Sequence, residues 1–288
     1  MLFPRYFKII GLILAIPSLI LGLMFQSANY VIPFLNYGGR SRSQIFTPPG
    51  ANNMTDELVT TALVLGLLFI GFYKQKNESP AIQNLRLKAL FWAVLVQGFL
   101  ASTLLIVFNS GIFKFDFISK YNSTVFNLIL NNNLFILLII FLSRFYYLLY
   151  GNKGQSKLRY ISFRPLILAS QVTAVILFIL TLLASFDILP INQWDKAIFF
   201  LPPAILIWVW SGEKTEDTVI ENIRLKAMLL SVIFNYSLFV VLTWVIYSID
   251  YLAVLCISIA SVPLIFIPIF YWLKFRHKQS AVRAFSAS

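Results

Sequence analysis

Eight predominantly apolar stretches divide this chain, at 6–25, 58–73, 89–108, 125–145, 165–186, 197–210, 227–248 and 251–273. Between them they hold only two charged side chains, Lys8 and Arg144. About 20 apolar residues in a helix match the roughly 30 Å hydrocarbon core of a bilayer, so each stretch reads as one transmembrane helix. The second and sixth are short, at 16 and 14 residues. A soluble reading fails on composition: 59% of the chain is hydrophobic and 12% charged, against about 45–50% and about 25% in soluble domains. The sequence therefore predicts an all-α, polytopic integral membrane bundle.

The net charge of +12 does not point to nucleic acid, because the cations lie almost entirely between the apolar stretches. Eighteen Lys and Arg fall on one side of the eight-span arrangement. Five fall on the other, namely Arg40, Arg42, Lys114, Lys120 and Lys196. The positive-inside rule then places both termini in the cytoplasm. Tyr146, Tyr147 and Tyr150 close the fourth stretch, and Tyr271 and Trp272 the eighth, as an interfacial belt does. Arg144 reads as a side chain that snorkels to the headgroups, with a buried functional charge as the alternative. The first stretch, with Arg5 and Lys8 near its start, resembles a signal peptide but lacks a cleavage site of small residues. It is expected to be retained.

An internal repeat organises the rest. Residues 76–89 and 214–227 are identical at 8 of 14 positions, many of them polar, at an offset of 138. Arg5-Tyr6 and Leu12-Ile13-Leu14 recur as Arg159-Tyr160 and Leu166-Ile167-Leu168 at an offset of 154. Phe145-Tyr146-Tyr147-Leu148 recurs as Phe270-Tyr271-Trp272-Leu273 at an offset of 125. The changing offset implies insertions of 16 and 13 residues in the first copy, both on the extracytoplasmic side. Two tandem copies of four helices share one orientation, as in parallel-repeat carriers. The expected organisation is a first repeat at 1–151, a second at 152–275 and a short basic cytoplasmic tail at 276–288.

Within the repeated segment, Ser79-Pro80 has the form of a helix cap followed by proline at the first helical position. Thr218 to Glu221 fits a capping box. A helix running unbroken from Pro80 to Ser110 would be about 46 Å long, so its first turns should extend beyond the lipid or bend along the interface. The run Ile82 to Ala93, with Arg86-Leu87-Lys88-Ala89-Leu90 and Trp92-Ala93, resembles short uncharacterised bacterial inner-membrane proteins of about four helices. In those, an acidic stretch and Ile-Arg-Leu lead into a membrane helix. The resemblance covers the middle of each repeat and implies a duplicated unit in a bacterial cytoplasmic membrane. It implies no activity. The second copy departs from it by carrying Leu230 where the first has Trp92.

Catalytic signatures are missing from the sequence. Its one His, His277, lies in the basic tail, its one Cys is Cys256, and no acidic residue falls well inside an apolar stretch. No cofactor or metal is therefore expected, and the chain is expected not to be an enzyme. Gln97 and Asn235 occupy matching mid-membrane positions. They read either as a pair lining a ligand path or as amides that hydrogen-bond neighbouring helices. Pro202-Pro203 in the short sixth stretch, and Gly66 and Gly71 in the second, could mark a transport site or short oblique helices. Asn131 to Asn133 reads as a wet interfacial helix start, with a ligand site as the alternative. Asn53-Met54-Thr55 and Asn122-Ser123-Thr124 match glycosylation sequons, which carry no meaning in a bacterial membrane. Asn84, Arg86 and Lys88, with Asn222, Arg224 and Lys226, are polar identities outside the lipid. They are expected either to dock a protein or to contact lipid phosphates.

Three functional classes stay open. The leading one is a non-enzymatic subunit or interaction protein of a bacterial envelope complex, whose partners are the bilayer and another membrane or envelope protein. A small-molecule transporter with its site between the repeats is the first alternative, and the membrane part of a two-protein sensor the second. A carrier should have a polar cavity near Gln97 and Asn235. A subunit should have a packed centre.

Overall fold

The computed structural model describes residues 2–28, 30–35, 53–109, 116–151, 158–185, 199–213, 217–246 and 249–286. Among them the chain forms eight α-helices and one 3-10 turn, Pro33–Leu35. The first four helices are α1 Phe7–Ala28, α2 Thr55–Phe72, α3 Pro80–Asn109 and α4 Asp116–Tyr150. The others are α5 Arg164–Ser185, α6 Leu201–Trp210, α7 Thr218–Val245 and α8 Ile249–Ser286. Each expected stretch overlaps one of these helices. Six of them, α1, α2, α3, α5, α7 and α8, are long and apolar enough to cross a membrane. The apolar part of α4, Phe135–Tyr150, and the 10 residues of α6 are shorter. At 1.5 Å per residue α6 covers only about 15 Å.

Local chemistry explains where the helices begin. Ser79 Oγ accepts the Ile82 N–H at 3.3 Å, and Pro80 opens α3. At α7 the cap is Asp217, whose carboxylate accepts the Ile220 N–H at 2.7 Å. That is one residue earlier than the expected capping box, because an ionised oxygen facing a helix N-terminus is the better acceptor. Pro202 and Pro203 lie in the first turn of α6, where their missing N–H groups leave no intrahelical bond unmade. They start the helix and do not interrupt it. Asn53 is buried before α2, where its Oδ1 accepts the Thr55 N–H and its amide reaches the Ile32 carbonyl at 2.7 Å. It serves as a structural tie, while Asn122 of the other sequon has a side chain outside the described residues.

Helix pairing has the same pattern in the first four helices and the last four. α1 packs on α2, α2 on α4 and α3 on α4, while α5 packs on α6, α6 on α8 and α7 on α8. Contacts between the two sets run mainly through α3, which touches α6, α7 and α8, with α4 on α8 and α2 on α7. Peripheral α1 and α5 have only 17% and 11% of their apolar spans buried within the protein, so lipid covers most of their surface. Where α1 meets α2 the backbones nearly touch. A Cβ on Gly66 would lie 2.7 Å from the Ala15 nitrogen and 2.8 Å from the Gly11 oxygen.

Extended residues before α1 and α5 dock alike. The Phe3 N–H donates to the Phe72 carbonyl at 2.8 Å, and the Lys74 N–H to the Phe3 carbonyl at 2.8 Å. Similarly, the Ile161 N–H donates to the Trp210 carbonyl at 3.1 Å, and the Gly212 N–H to the Ile161 carbonyl at 2.9 Å. The partners Tyr73 and Ser211 are 138 apart, but Phe3 and Ile161 are 158 apart. This exceeds the offset of 154 read from Arg5-Tyr6 by four residues, about one helical turn. Apolar residues recur every three to four along a lipid-facing helix, so a one-turn slip matches nearly as well in sequence.

Candidate functional site

The polar identities of the repeated segment separate by burial. Arg86, in the second turn of α3, is 2% exposed. Its Nη1 donates to Glu78 Oε1 at 2.8 Å, and its Nη2 to Glu78 Oε2 and the Tyr73 carbonyl, both at 3.2 Å. The Glu78 side chain is 1% exposed and also accepts the Gln75 N–H at 2.9 Å. The guanidinium stacks over Phe145, 4.9 Å from its centroid. Arg224, 138 residues on, is equally buried and donates to the Val209 carbonyl at 3.1 Å. It lies between Tyr160 and Phe270, with ring centroids at 4.7 and 4.8 Å. Each arginine thus ties the start of its helix to the end of the preceding one and to an aromatic ring of the following one. A desolvated guanidinium gains both bidentate bonds and ring stacking, which Lys cannot supply.

Lys88 turns toward the other set. Its Nζ meets Glu221 Oε1 at 2.9 Å, joining α3 to α7. Both side chains are partly solvated, so the pair contributes at most about 1 kcal/mol but sets which faces meet. Asn84, Asn222 and Lys226 are exposed. The six residues therefore comprise two inward-facing arginines, one bridging lysine and three outward-facing side chains on adjoining helices.

Both amides expected at mid-membrane are buried within the protein, Gln97 at 5% and Asn235 at 2% exposure. Gln97 donates to Asn133 Oδ1, Asn133 donates to Ser258 Oγ at 2.9 Å, and Ser258 donates to the Leu255 carbonyl at 2.6 Å. Asn133 is thus a core residue joining α3, α4 and α8, not an interfacial helix start. Asn133 and Ser258 are themselves 125 apart, the offset relating α4 to α8, so corresponding positions bond to each other. The Ser258 proton goes to the Leu255 carbonyl, and among the described residues the buried Asn235 Oδ1 has no hydrogen-bond partner. Gly98 receives Leu206 of α6 nearby, where a Cβ would meet that side chain at 2.7 Å.

Arg144 is half-buried and lies 4.7 Å from the centroid of Trp92 and 6.0 Å from that of Tyr147. Its charge is held on aromatic faces, and the Trp92 to Leu230 difference has a cause. By the offsets of 138 and 125, Trp92 and Arg144 correspond to Leu230 and Ile269, so cation and ring are both replaced by aliphatic residues. Sequence reasoning missed Glu78 and Ser258, and placed Asn133 at an interfacial helix start. For Glu78 the signal was present, since Glu78 and Glu216 are identical in the repeat, although Glu216 lies outside the described residues. Among the described residues no cluster of His, Cys, Asp and Glu could hold a metal ion. No family model, curated protein or solved structure matches this chain.

Proposed function

We propose that this chain is a non-enzymatic subunit of a bacterial inner-membrane complex, binding an envelope protein through the adjoining cytoplasmic starts of α3 and α7. The carrying observation is the division of roles in the repeated segment. Arg86 and Arg224 are consumed internally, and Lys88 with Glu221 brings the two helices together. Asn84 and Asn222 nevertheless stay exposed, and among the described residues neither amide makes a hydrogen bond that would hold it to the fold. An amide gains little from a lipid phosphate but can pair with a partner's backbone or side chain. Replacing both by Ala should reduce recovery of co-purifying membrane proteins at least about fivefold, as loss of two hydrogen bonds of about 0.5–1.5 kcal/mol each implies. Unchanged recovery would leave the segment as a lipid anchor only.

The same reading takes the chain as eight spans in two same-facing repeats with both termini cytoplasmic. It is supported by the matching helix pairings, the paired docking of Phe3 and Ile161 and the 18 to 5 basic split. A cysteine placed in the 36–52 connection should react with an impermeant maleimide on intact cells. Reaction only after permeabilisation would reverse the orientation.

One observation favours the carrier reading instead, namely the buried Asn235 oxygen, which has no hydrogen-bond partner among the described residues. If nothing binds there, Asn235→Leu should leave stability unchanged or raise it. By contrast, Gln97→Leu strands the Asn133 carbonyl and should cost about 1–3 kcal/mol. Equal losses in thermal unfolding would mean that the Asn235 oxygen is satisfied by a bound molecule, and would support the carrier.

A further inference from the structure

We propose that Arg144, with Trp92 beside it, is the intramembrane contact for a partner's transmembrane helix that carries one carboxylate, Asp or Glu, at matching depth. This rests on the subunit reading and extends it from the cytoplasmic starts of α3 and α7 into the lipid. Arg144 falls inside the fourth apolar stretch, six residues before the end of α4. Its guanidinium lies 4.7 Å from the centroid of Trp92 and 6.0 Å from that of Tyr147. Ring faces attract the charge but offer its five N–H groups no oxygen. Among the described residues the guanidinium makes no hydrogen bond or ion pair.

The acids described at this end of the bundle are engaged elsewhere. Arg86 holds Glu78, Lys274 holds Glu213, Lys88 holds Glu221, and Asp217 accepts the Ile220 N–H. Arg144 is therefore a half-buried cation on a lipid-facing surface, and hydrocarbon supplies no acceptor for it. An ionised carboxylate satisfies both the charge and the forked donors.

The fold does not need this cation. By the offsets of 138 and 125, Leu230 and Ile269 take the places of Trp92 and Arg144, yet α7 packs on α8 as α3 packs on α4. That asymmetry favours a protein over lipid. Headgroups surround both sets of helices at the same depth, whereas a partner meets one face of the bundle. Direction agrees. Side chains on a helix lean toward its N-terminus, so Arg144 leans away from the cytoplasmic end of α4 and onto Trp92. That ring lies about one turn deeper along α3 than Lys88. The surface is also continuous with the cytoplasmic site. Asn84, Lys88 and Trp92 follow one another at every fourth residue, on one face of α3, and Ser143 and Tyr147 of α4 are exposed beside Arg144. A helix laid along this face meets Asn84 at its cytoplasmic end and Arg144 within the lipid.

The test uses the full chain in phosphatidylcholine vesicles with a synthetic Leu-Ala transmembrane peptide bearing one Glu about a turn inside its apolar run. Peptides with Gln or Leu at that place are the controls, and association is read by energy transfer between labels. Wild type should bind the Glu peptide about tenfold more tightly than the Leu peptide, as one charge-assisted hydrogen bond implies. In Trp92→Leu/Arg144→Ile the preference should vanish with thermal unfolding unchanged, because the second set already packs that pair. Cross-linking of a cysteine on the Glu peptide to Ser143→Cys should locate the contact, even if the double variant fails to fold. Equal binding of the three peptides by wild type would overturn the proposal, as would a Glu preference that survives in the double variant. So would retention of added phosphatidylglycerol that depends on Arg144 while the peptides are not distinguished, since the guanidinium then serves a headgroup. The peptide has no segment outside the lipid, so Asn84 and Asn222 take no part in its binding. Its failure removes the intramembrane contact alone, whereas unchanged recovery in Asn84→Ala/Asn222→Ala removes the cytoplasmic one alone.

Discussion

Arg86→Met should be among the most destabilising single substitutions in this protein, costing about 3–5 kcal/mol. The guanidinium and the Glu78 carboxylate are 2% and 1% exposed, so removing Arg86 leaves a desolvated anion whose remaining donor among the described residues is the Gln75 backbone N–H. The Tyr73 carbonyl loses a donor and the Phe145 ring its cation at the same time. These contacts join the end of α2, the start of α3 and the last turns of α4, so the loss should reach all three. Arg86→Lys should fall between, because a compact ammonium cannot make the forked bonds and stack on the ring together. Restoring apolar character on both sides in Arg86→Met/Glu78→Leu should recover most of the loss, as happens when a whole buried pair is replaced. Reversible unfolding in mixed detergent micelles provides the measurement. An Arg86→Met loss under about 1 kcal/mol would make the guanidinium a surface group, and a docking role for it would return.

Gly66→Leu should detach α1 from the bundle. Any Cβ at Gly66 collides with backbone atoms of α1 at 2.7 and 2.8 Å, and one at Gly11 would meet the Gly66 oxygen at 2.7 Å. Backbone cannot rotate aside as a side chain can, so the helices must separate. Among the described residues α2 is the helix on which α1 packs extensively, so little else opposes its release. In lipid no hydrophobic force opposes separation either, since association rests on close packing that small residues permit. The expected loss is at least the about 1–3 kcal/mol of ordinary overpacking. It should appear as abolished cross-linking between cysteines placed on facing positions of α1 and α2. The Gln97–Asn133–Ser258 chain should keep the other helices together, so thermal unfolding of the remainder should change little. Retained cross-linking in Gly66→Leu would mean that the close crossing does not govern this contact.

Much of this architecture is local, and local features are legible in a chain. Runs of about 20 apolar residues mark helices because hydrocarbon leaves the backbone no other partner. Ser79-Pro80 marks the start of α3 because a cap acts within three residues. The offset of 138 gives Gln97 and Asn235, and likewise Arg86 and Arg224, matching positions in the chain. Tertiary structure alone decided which way those arginines point. Residue type states that a guanidinium needs partners, but Glu78, the Tyr73 carbonyl and Phe145 converge on Arg86 only when α2, α3 and α4 pack. The same holds for Lys88 with Glu221 and for Asn133 at the centre, whose partners lie 36 and 125 residues away. The one-turn slip before α1 and α5 went unseen because a lipid-facing helix tolerates any apolar residue, so sequence there carries little register.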